Sequence, residues 1–507
     1  MMLSIFVFWT LVEICYSSPD LAEFECLESK CWCETMGPLI VNIECSSDLD
    51  FSVPLHNLII NQTINYFLIK NVIFAEHKNF FSNLEISELA FDNVQLSSMG
   101  NLTFKGIRNL KKLMFKNSIL TGIQNGTFSH LDLVDIDFKN CSIDDKFMNE
   151  NHASLNELSH IAHFTMSQNK LSHLNKNWFK NLKIYFLLNL SFNMITKIDS
   201  NFFRSMTALE RLNLKFNHLS GCLDQIALLP LRASLVRLIL SSNQLSCVPV
   251  FDRYPNLRIL DLSNNSIETL DNNVFRNLIS LNILNLNHNK IKYICSDCFT
   301  KSLLYLRLED NYLKRIPSIE PVSSLILLDL RNQNGHLEKL SNFQFDRRDS
   351  LLHLKIHLEQ NDLSEFAPRS FCSRFGSYLD NFTLSHRTFV NMFKVNRCLF
   401  GQLNYKSSYT VRLFVDNGHL IESKHLDGIC TCDFVNFIKL SNVLISGIKC
   451  GEFECQSNGS SYFDECVREK IYSYPSLDMS YLLFNLELTA AEAHVLTTSP
   501  PYIGDSG

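Results

Sequence analysis

The sequence predicts an α/β solenoid, a one-dimensional stack of short strand-bearing units closed by a cysteine-rich cap at each end. Three observations predict it. First, Leu257, Leu260, Leu262, Asn265 and Ile267 recur 24 residues later as Leu281, Leu284, Leu286, Asn289 and Ile291. Leucines at alternate positions make a short strand with one apolar face, and the Asn falls where the strand must turn. One such unit cannot bury its own leucines, whereas a stack of neighbours can. Second, the cysteines gather near the two ends of the chain. Third, hydrophobic residues are 46% and charged residues 19%, which excludes a disordered chain. The formal net charge of −6 offers no general case for nucleic-acid or membrane binding.

In chain order, residues 1–18 read as a signal peptide. The apolar run Leu3–Val12 is too short to span a bilayer, and Ser17 and Ser18 suit cleavage. No later run is long enough for a membrane helix, so no membrane span is expected in this chain and the protein reads as secreted. Of the 17 cysteines, Cys15 leaves with the signal, and an even set remains for disulfides. Glycosylation sequons begin at Asn61, Asn101, Asn125, Asn140, Asn189, Asn264, Asn381 and Asn458.

Residues 19–63 form an N-terminal cap holding Cys26, Cys31, Cys33 and Cys45. The first repeat needs one, because it would otherwise expose a sheet edge and an apolar face. In a secreted chain, disulfides are preferred over a zinc knuckle for these four cysteines. Regular repeats occupy residues 64–333, with first apolar positions near Ile64, Ile86, Leu110, Leu133, Ile161, Tyr185, Leu209, Leu235, Leu257, Leu281, Leu303 and Leu325, and a further unit near His353. The wider gaps before Ile161 and His353 predict bulged outer loops. Asn169, Asn193, Asn217, Asn243, Asn265, Asn289, Asn311 and Asn361 hold the turn position. Val72, Val94, Ser118, Cys141 and Gln333 replace it in weaker units, with Cys141 as a buried filler. Residues 334–425 are degenerate repeats: one threads from Tyr378 with Arg387 at the Asn position, and a weaker one starts at Tyr409. Cys372 and Cys398 in this stretch are a candidate pair. A C-terminal cap, residues 426–466, carries Cys430, Cys432, Cys450, Cys455 and Cys466, with Phe434, Phe437 and Ile438 at helical spacing. Residues 467–507 form a tail without repeat pattern.

The spacing L-x-x-L-x-L-x-x-N-x-L, together with these flanking cysteines, resembles the extracellular leucine-rich-repeat family, of which Slit-like, Toll-like and acid-labile-subunit-like proteins are examples. The resemblance covers residues 26–466. It implies a curved array with a parallel sheet on the concave side and an irregular or short-helical convex side. It also implies that Cys430 pairs with Cys450 and Cys432 with Cys466, with Cys455 an alternative to Cys450. The Asn-Pro-Trp that usually precedes the C-terminal C-x-C is replaced by HLDGI.

No metalloprotease, nucleophile-elbow, phosphate-loop or dinucleotide motif is present, so no enzyme, cofactor or metal is expected. Cys295 and Cys298 form a C-x-x-C on an outer loop, where a structural bridge is preferred over redox chemistry. Cys222 and Cys247 fall at equivalent positions of consecutive units and are placed to bridge stacked turns.

The surface open to function is the concave sheet face, where the side chains between the buried leucines point. In register, Arg211, Asn213, Lys215, Arg237, Asp261, Tyr305, Arg307, Asp329 and Arg331 lie there, with Lys112, Lys116, Asp135 and Asp137 upstream. Arg with Tyr is the composition of a protein-binding hot spot, and the expected partner is an extracellular protein. A glycan on Asn189, on the same face, would push binding towards the C-terminal half or to other surfaces. A structural matrix component and the ectodomain of a truncated receptor are the alternatives.

Overall fold

A computed structural model describes residues 22–26, 31–36, 39–45, 63–340 apart from 75–80, 82, 159, 272–273, 296 and 318–323, and then 354–366 apart from 362, 379–385, 388–389, 411–415 and 443–446. The proposed signal, Cys372, Cys398, the C-terminal cap cysteines with Phe434, Phe437 and Ile438, and the tail lie outside the described residues.

Nineteen strands form one sheet. Three antiparallel strands, Ala22–Cys26, Cys31–Met36 and Leu39–Cys45, make its N-terminal end. Cys31 and Cys45 are bonded across that hairpin at a Cα separation of 4.2 Å, and Cys33 is also disulfide-bonded. From Thr63–Lys70 onward every neighbour is parallel, each strand coming from the next turn of chain. This is the expected solenoid. The sheet continues through Leu379–Leu384, Val411–Val415 and Val443–Ser446, the last inside residues 426–466. Helix is sparse among the described residues, and none there is long and apolar enough to cross a membrane.

One row of paired residues runs through the core: Phe67, Leu89, Leu113, Ile136, Phe164, Leu188, Leu212, Leu238, Leu260, Leu284, Leu306, Leu328 and Ile356. All are buried. These are the fourth positions of the units read from the sequence, so the predicted register holds across the array. In the N-terminal half phenylalanines fill the space of leucines. Phe91, Phe115 and Phe138 stack with centroids 5.1 and 5.3 Å apart. Rings of this size bury more apolar area than leucine and interlock neighbouring turns.

Three details depart from the sequence reading. Tyr185 is 44% exposed, and Ile184 holds the buried position opposite Ile161. A shift in register between Ile161 and His163 admits one extra residue in the strand Lys183–Asn189, which turns Tyr185 outward. The wide gap before Ile161 is filled by a helix, Asp145–Leu155, and not by an open loop. Asp144 caps its first turn by accepting from the Phe147 backbone N–H, and Phe147, Met148 and Leu155 are buried. At the Tyr378 unit, the role expected of Arg387 passes to Thr388, whose Oγ1 accepts from Leu363 N–H at 3.1 Å. A short hydroxyl reaches the backbone that a long cation would overshoot; Arg387 itself lies outside the described residues.

The repeat asparagines tie the turns together. Asn265 Nδ2 donates to Leu262 O at 3.0 Å in its own turn and to Leu240 O at 3.1 Å in the turn before. Its Oδ1 accepts from Leu245 N–H at 3.0 Å. Asn193, Asn217, Asn243, Asn289, Asn311 and Asn361 repeat the pattern, and Gln333 reproduces it with a longer side chain. Ser118 and Cys141 fill the same place. Cys141 is free and buried, and burial pushes its thiol up to about 12, so it is space-filling rather than nucleophilic.

The residue just before each ladder position has positive φ, as at Asn93 (55°), Asn117 (51°), Phe192 (56°), Phe216 (52°), Asn264 (52°) and Asn332 (45°). On the outer side, Cys222–Cys247 bridges consecutive turns at a Cα separation of 5.2 Å, and Cys295–Cys298 closes a local bridge at 5.4 Å.

Asn265→Ala removes three buried hydrogen bonds and orphans backbone groups in two turns. Stability should fall by at least about 2 kcal/mol. Equilibrium urea unfolding measures this, and a loss below about 0.5 kcal/mol would contradict the ladder's role.

Candidate binding surface

The strands of the central repeats are three residues long with an intermediate–buried–intermediate pattern. The buried central leucine forces its two neighbours onto the open face. Arg211, Asn213, Arg237, Asp261, Tyr305 and Arg307 all take these half-buried positions, with Lys215 and Arg331 just beyond.

The structure divides the predicted set into two groups. Arg211 and Arg237 are directly paired across neighbouring strands. The Arg211 guanidinium sits 4.5 Å from the centroid of Phe186, a cation–π contact. Phe186 meets His163 edge-on at 5.0 Å, and His163 Nδ1 lies 2.5 Å from Asp135 Oδ1. A line of contacts thus runs over three turns towards the arginines. Lys215 Nζ lies 4.8 Å from the Phe216 centroid.

The second group is already neutralised within itself. Arg331 binds Asp329 through two bonds, Nε to Oδ1 at 2.9 Å and Nη2 to Oδ2 at 2.7 Å, and reaches Glu309 Oε2 at 2.9 Å. Those bonds to Asp329, with the charges of Asp329, Glu309 and Glu359, hold the guanidinium above its usual range. Burial first, and then Asp329, raises the Glu309 carboxyl. Asp329 is 3% exposed, so it supports Arg331 and offers little surface of its own. Between the groups, Ile239, Ile259 and Ile283 occupy the open-face positions, half-buried.

Asn213 and Asp261 act mainly on their own chain. Asn213 Oδ1 accepts from Lys215 N–H at 3.0 Å, and Asp261 Oδ1 from Ser263 N–H at 3.0 Å and Ser263 Oγ at 2.7 Å. Asn189 does the same with Ser191, through N–H at 3.1 Å and Oγ at 2.8 Å. Those bonds use its oxygen, and the residue is half-exposed on the concave face. Asn101, Asn125, Asn140 and Asn264 are exposed, whereas Asn61, Asn458 and the Asn381 side chain are outside the described residues.

His163 and Phe186 complete this surface and were absent from the predicted set; Glu309 lies there half-buried, and Asn287 is buried at 8% exposure. Strand alternation alone points to His163, Asn287 and Glu309, while Phe186 comes forward only through the bulge.

Matches to known proteins agree with this geometry. The family described as "Leucine rich repeat" matches residues 233–291 and 255–313, and "BspA type Leucine rich repeat region (6 copies)" matches residues 75–210. Residues 75–210 and 233–313 are leucine-rich repeats. Osteomodulin of Bos taurus is 30% identical over 140 residues, 25% of this chain and 32% of that protein. Lumican of Bos taurus is 32% identical over 116 residues, 22% of this chain and 32% of that one. The chain thus spans about a third of the length of these curated relatives. Drosophila Toll, solved in complex with Spatzle, shares the fold at a TM-score of 0.53 and 16% identity, over 80% of this chain and 61% of that chain.

Upstream on the repeat sheet, Asp137 is caught between burial and three lysines. Burial dominates Lys116, Lys139 and Lys112, and pushes its carboxyl from 3.8 up to about 6, with Oδ1 lacking any hydrogen-bond partner. The folded state therefore keeps a proton that the unfolded chain releases. Stability falls as pH rises through about 3.8 to 6, and the full cost stands at neutral pH. Asp137→Asn should stabilise the protein by about 1–2 kcal/mol at pH 7.5, with the gain vanishing near pH 4. Urea unfolding at both pH values measures the difference; an equal gain at each would refute this origin.

Proposed function

We propose that the chain is a secreted, non-catalytic binding module that recognises an extracellular protein through its concave face. The observation that carries this reading is the in-register pair Arg211–Arg237, with Lys215 beside it, on an open sheet face. A small positive patch with an aromatic neighbour can desolvate and hold a partner carboxylate, and charge complementarity speeds encounter with the right partner. Support comes from the length of the array: strands about 4.8 Å apart give a sheet on the order of 60 Å long, ample for a protein interface. The Toll array, with which the chain shares its fold, is solved bound to a protein, Spatzle.

Glycosylation at Asn189, one turn before Arg211, would narrow access from the N-terminal side.

The test uses the purified secreted protein as bait in extracellular fluid, followed by affinity measurement on the captured partner. Arg211→Glu and Arg237→Glu should each weaken binding about 10-fold or more, and salt should weaken the wild type. Full affinity in both variants would sink the concave-patch reading.

A further inference from the structure

We infer that Phe192 and Phe216, with Lys215, form a second docking surface, on the edge of the array, for an acidic segment of a partner protein carrying an apolar side chain. The inference takes from the reading above only that the chain binds a protein.

Its basis is a conflict between residue type and backbone. The edge position before each ladder residue has positive φ all along the array. Elsewhere it holds side chains suited to that conformation: Asn71, Asn93, Asn117, Asn140, Gln168, Ser242, Asn264, His288, Asp310, Asn332 and Gln360. Asparagine tolerates the left-handed region because its short side chain bonds locally, whereas bulky residues there are outliers. Several of these residues link to the turn before. Asn93 Nδ2 donates to Asn71 Oδ1, and Asn140 Nδ2 to Asn117 Oδ1, each at 2.8 Å. Only Phe192 and Phe216, in consecutive turns, put apolar aromatic rings into this row of described residues.

Neither ring belongs to the buried core. Phe192 is 44% exposed and Phe216 41%, so they add little to the core. The two rings stack on each other with centroids 4.4 Å apart. Met194, two residues on, is 51% exposed. Strained backbone that carries exposed apolar side chains is a mark of a recognition site, since neither strain nor exposure helps the free protein.

The occupant follows from the charge beside the rings. Lys215 lies over Phe216 at 4.8 Å, and among the described residues no carboxylate is paired with its ammonium. Arg211, at the other end of the same strand segment, lies over Phe186. The rings offer a flat apolar seat, and the cations select a carboxylate next to it. Sequon residues Asn140 and Asn264 stand in the same row, two turns away on either side. At about 4.8 Å per turn the window between them fits one extended segment better than a broad face.

The probe is a fluorescein-labelled synthetic peptide with Leu and Phe between Asp and Glu residues, and its twin with every acid replaced by Lys. The full-length secreted protein should bind the acidic peptide and not the basic one in fluorescence anisotropy at low salt. Phe192→Asn/Phe216→Asn should cut that binding about 10-fold or more, and Lys215→Gln about 3-fold or more. The same double variant should unfold at a temperature higher by about 1–3 °C, because asparagine suits the backbone. That rise separates a recognition role from a packing one.

A lower unfolding temperature, equal binding of both peptides, or no binding at about 1 mM overturns the proposal. So does binding that appears only after removal of N-glycans, which would mean that a sugar covers the ledge. A concentration-dependent dimer abolished by the double variant overturns it in favour of a second copy of the chain. Arg211→Glu/Arg237→Glu that loses the captured partner, while Phe192→Asn/Phe216→Asn keeps both partner and peptide, leaves the concave reading intact and removes this one.

Discussion

From Asn169 to Asn361 the array depends on one buried amide per turn. Each ladder asparagine satisfies two carbonyls and one N–H that the tight turn after the strand would leave unpaired. Because one of those carbonyls and the N–H belong to the preceding turn, the amide also sets how neighbours stack. Leucine burial supplies the driving force, yet it is indifferent to small slips along the stack. The amide is not, since its bonds close only at one register. Where the asparagine is missing, Gln333, Ser118 and Thr388 supply longer or shorter versions of the same connection.

Register carries the surface with it. Once the central leucine of each strand is buried, its neighbours have no choice of face. Arg211 and Arg237 become partners across turns for that reason, although they are far apart in sequence. The same constraint lines up Glu309 and Arg331, and there the outcome is opposite: charges of both signs meet and cancel. The arginine pair and the self-satisfied cluster therefore arise on the same sheet, separated by isoleucines at 239, 259 and 283. Local electrostatics, not fold, distinguishes them.

The fold was legible because leucine spacing and asparagine each encode a geometric demand, alternation for one and turning for the other. Positions such as Leu212 and Leu284 follow directly from that code. Tyr185 was misplaced by one residue because a bulge leaves no mark in composition. The helix Asp145–Leu155 was hidden inside a wide repeat gap, although Asp144 and the apolar pair Phe147 and Met148 are signals for it. The concave candidates could be named as a column, but not which of them had partners. The pairing of Arg331 with Asp329 depends on side-chain reach, and the burial of Asp137 depends on three strands at once. Phe192 was readable as an oddity before the repeat asparagine, but its meaning needed the backbone angle.

The left-handed edge has a wider consequence. Its backbone conformation is imposed by the stack, so the side chain there does not choose it. Each turn offers a socket whose shape is the same whatever fills it, at a cost of roughly 1–3 kcal/mol for an ill-suited residue. A long array can absorb that cost because it sums many turn-to-turn interfaces. The edge can thus change its chemistry one residue at a time while the scaffold stays still, which makes it a place where new recognition is added without refolding the protein.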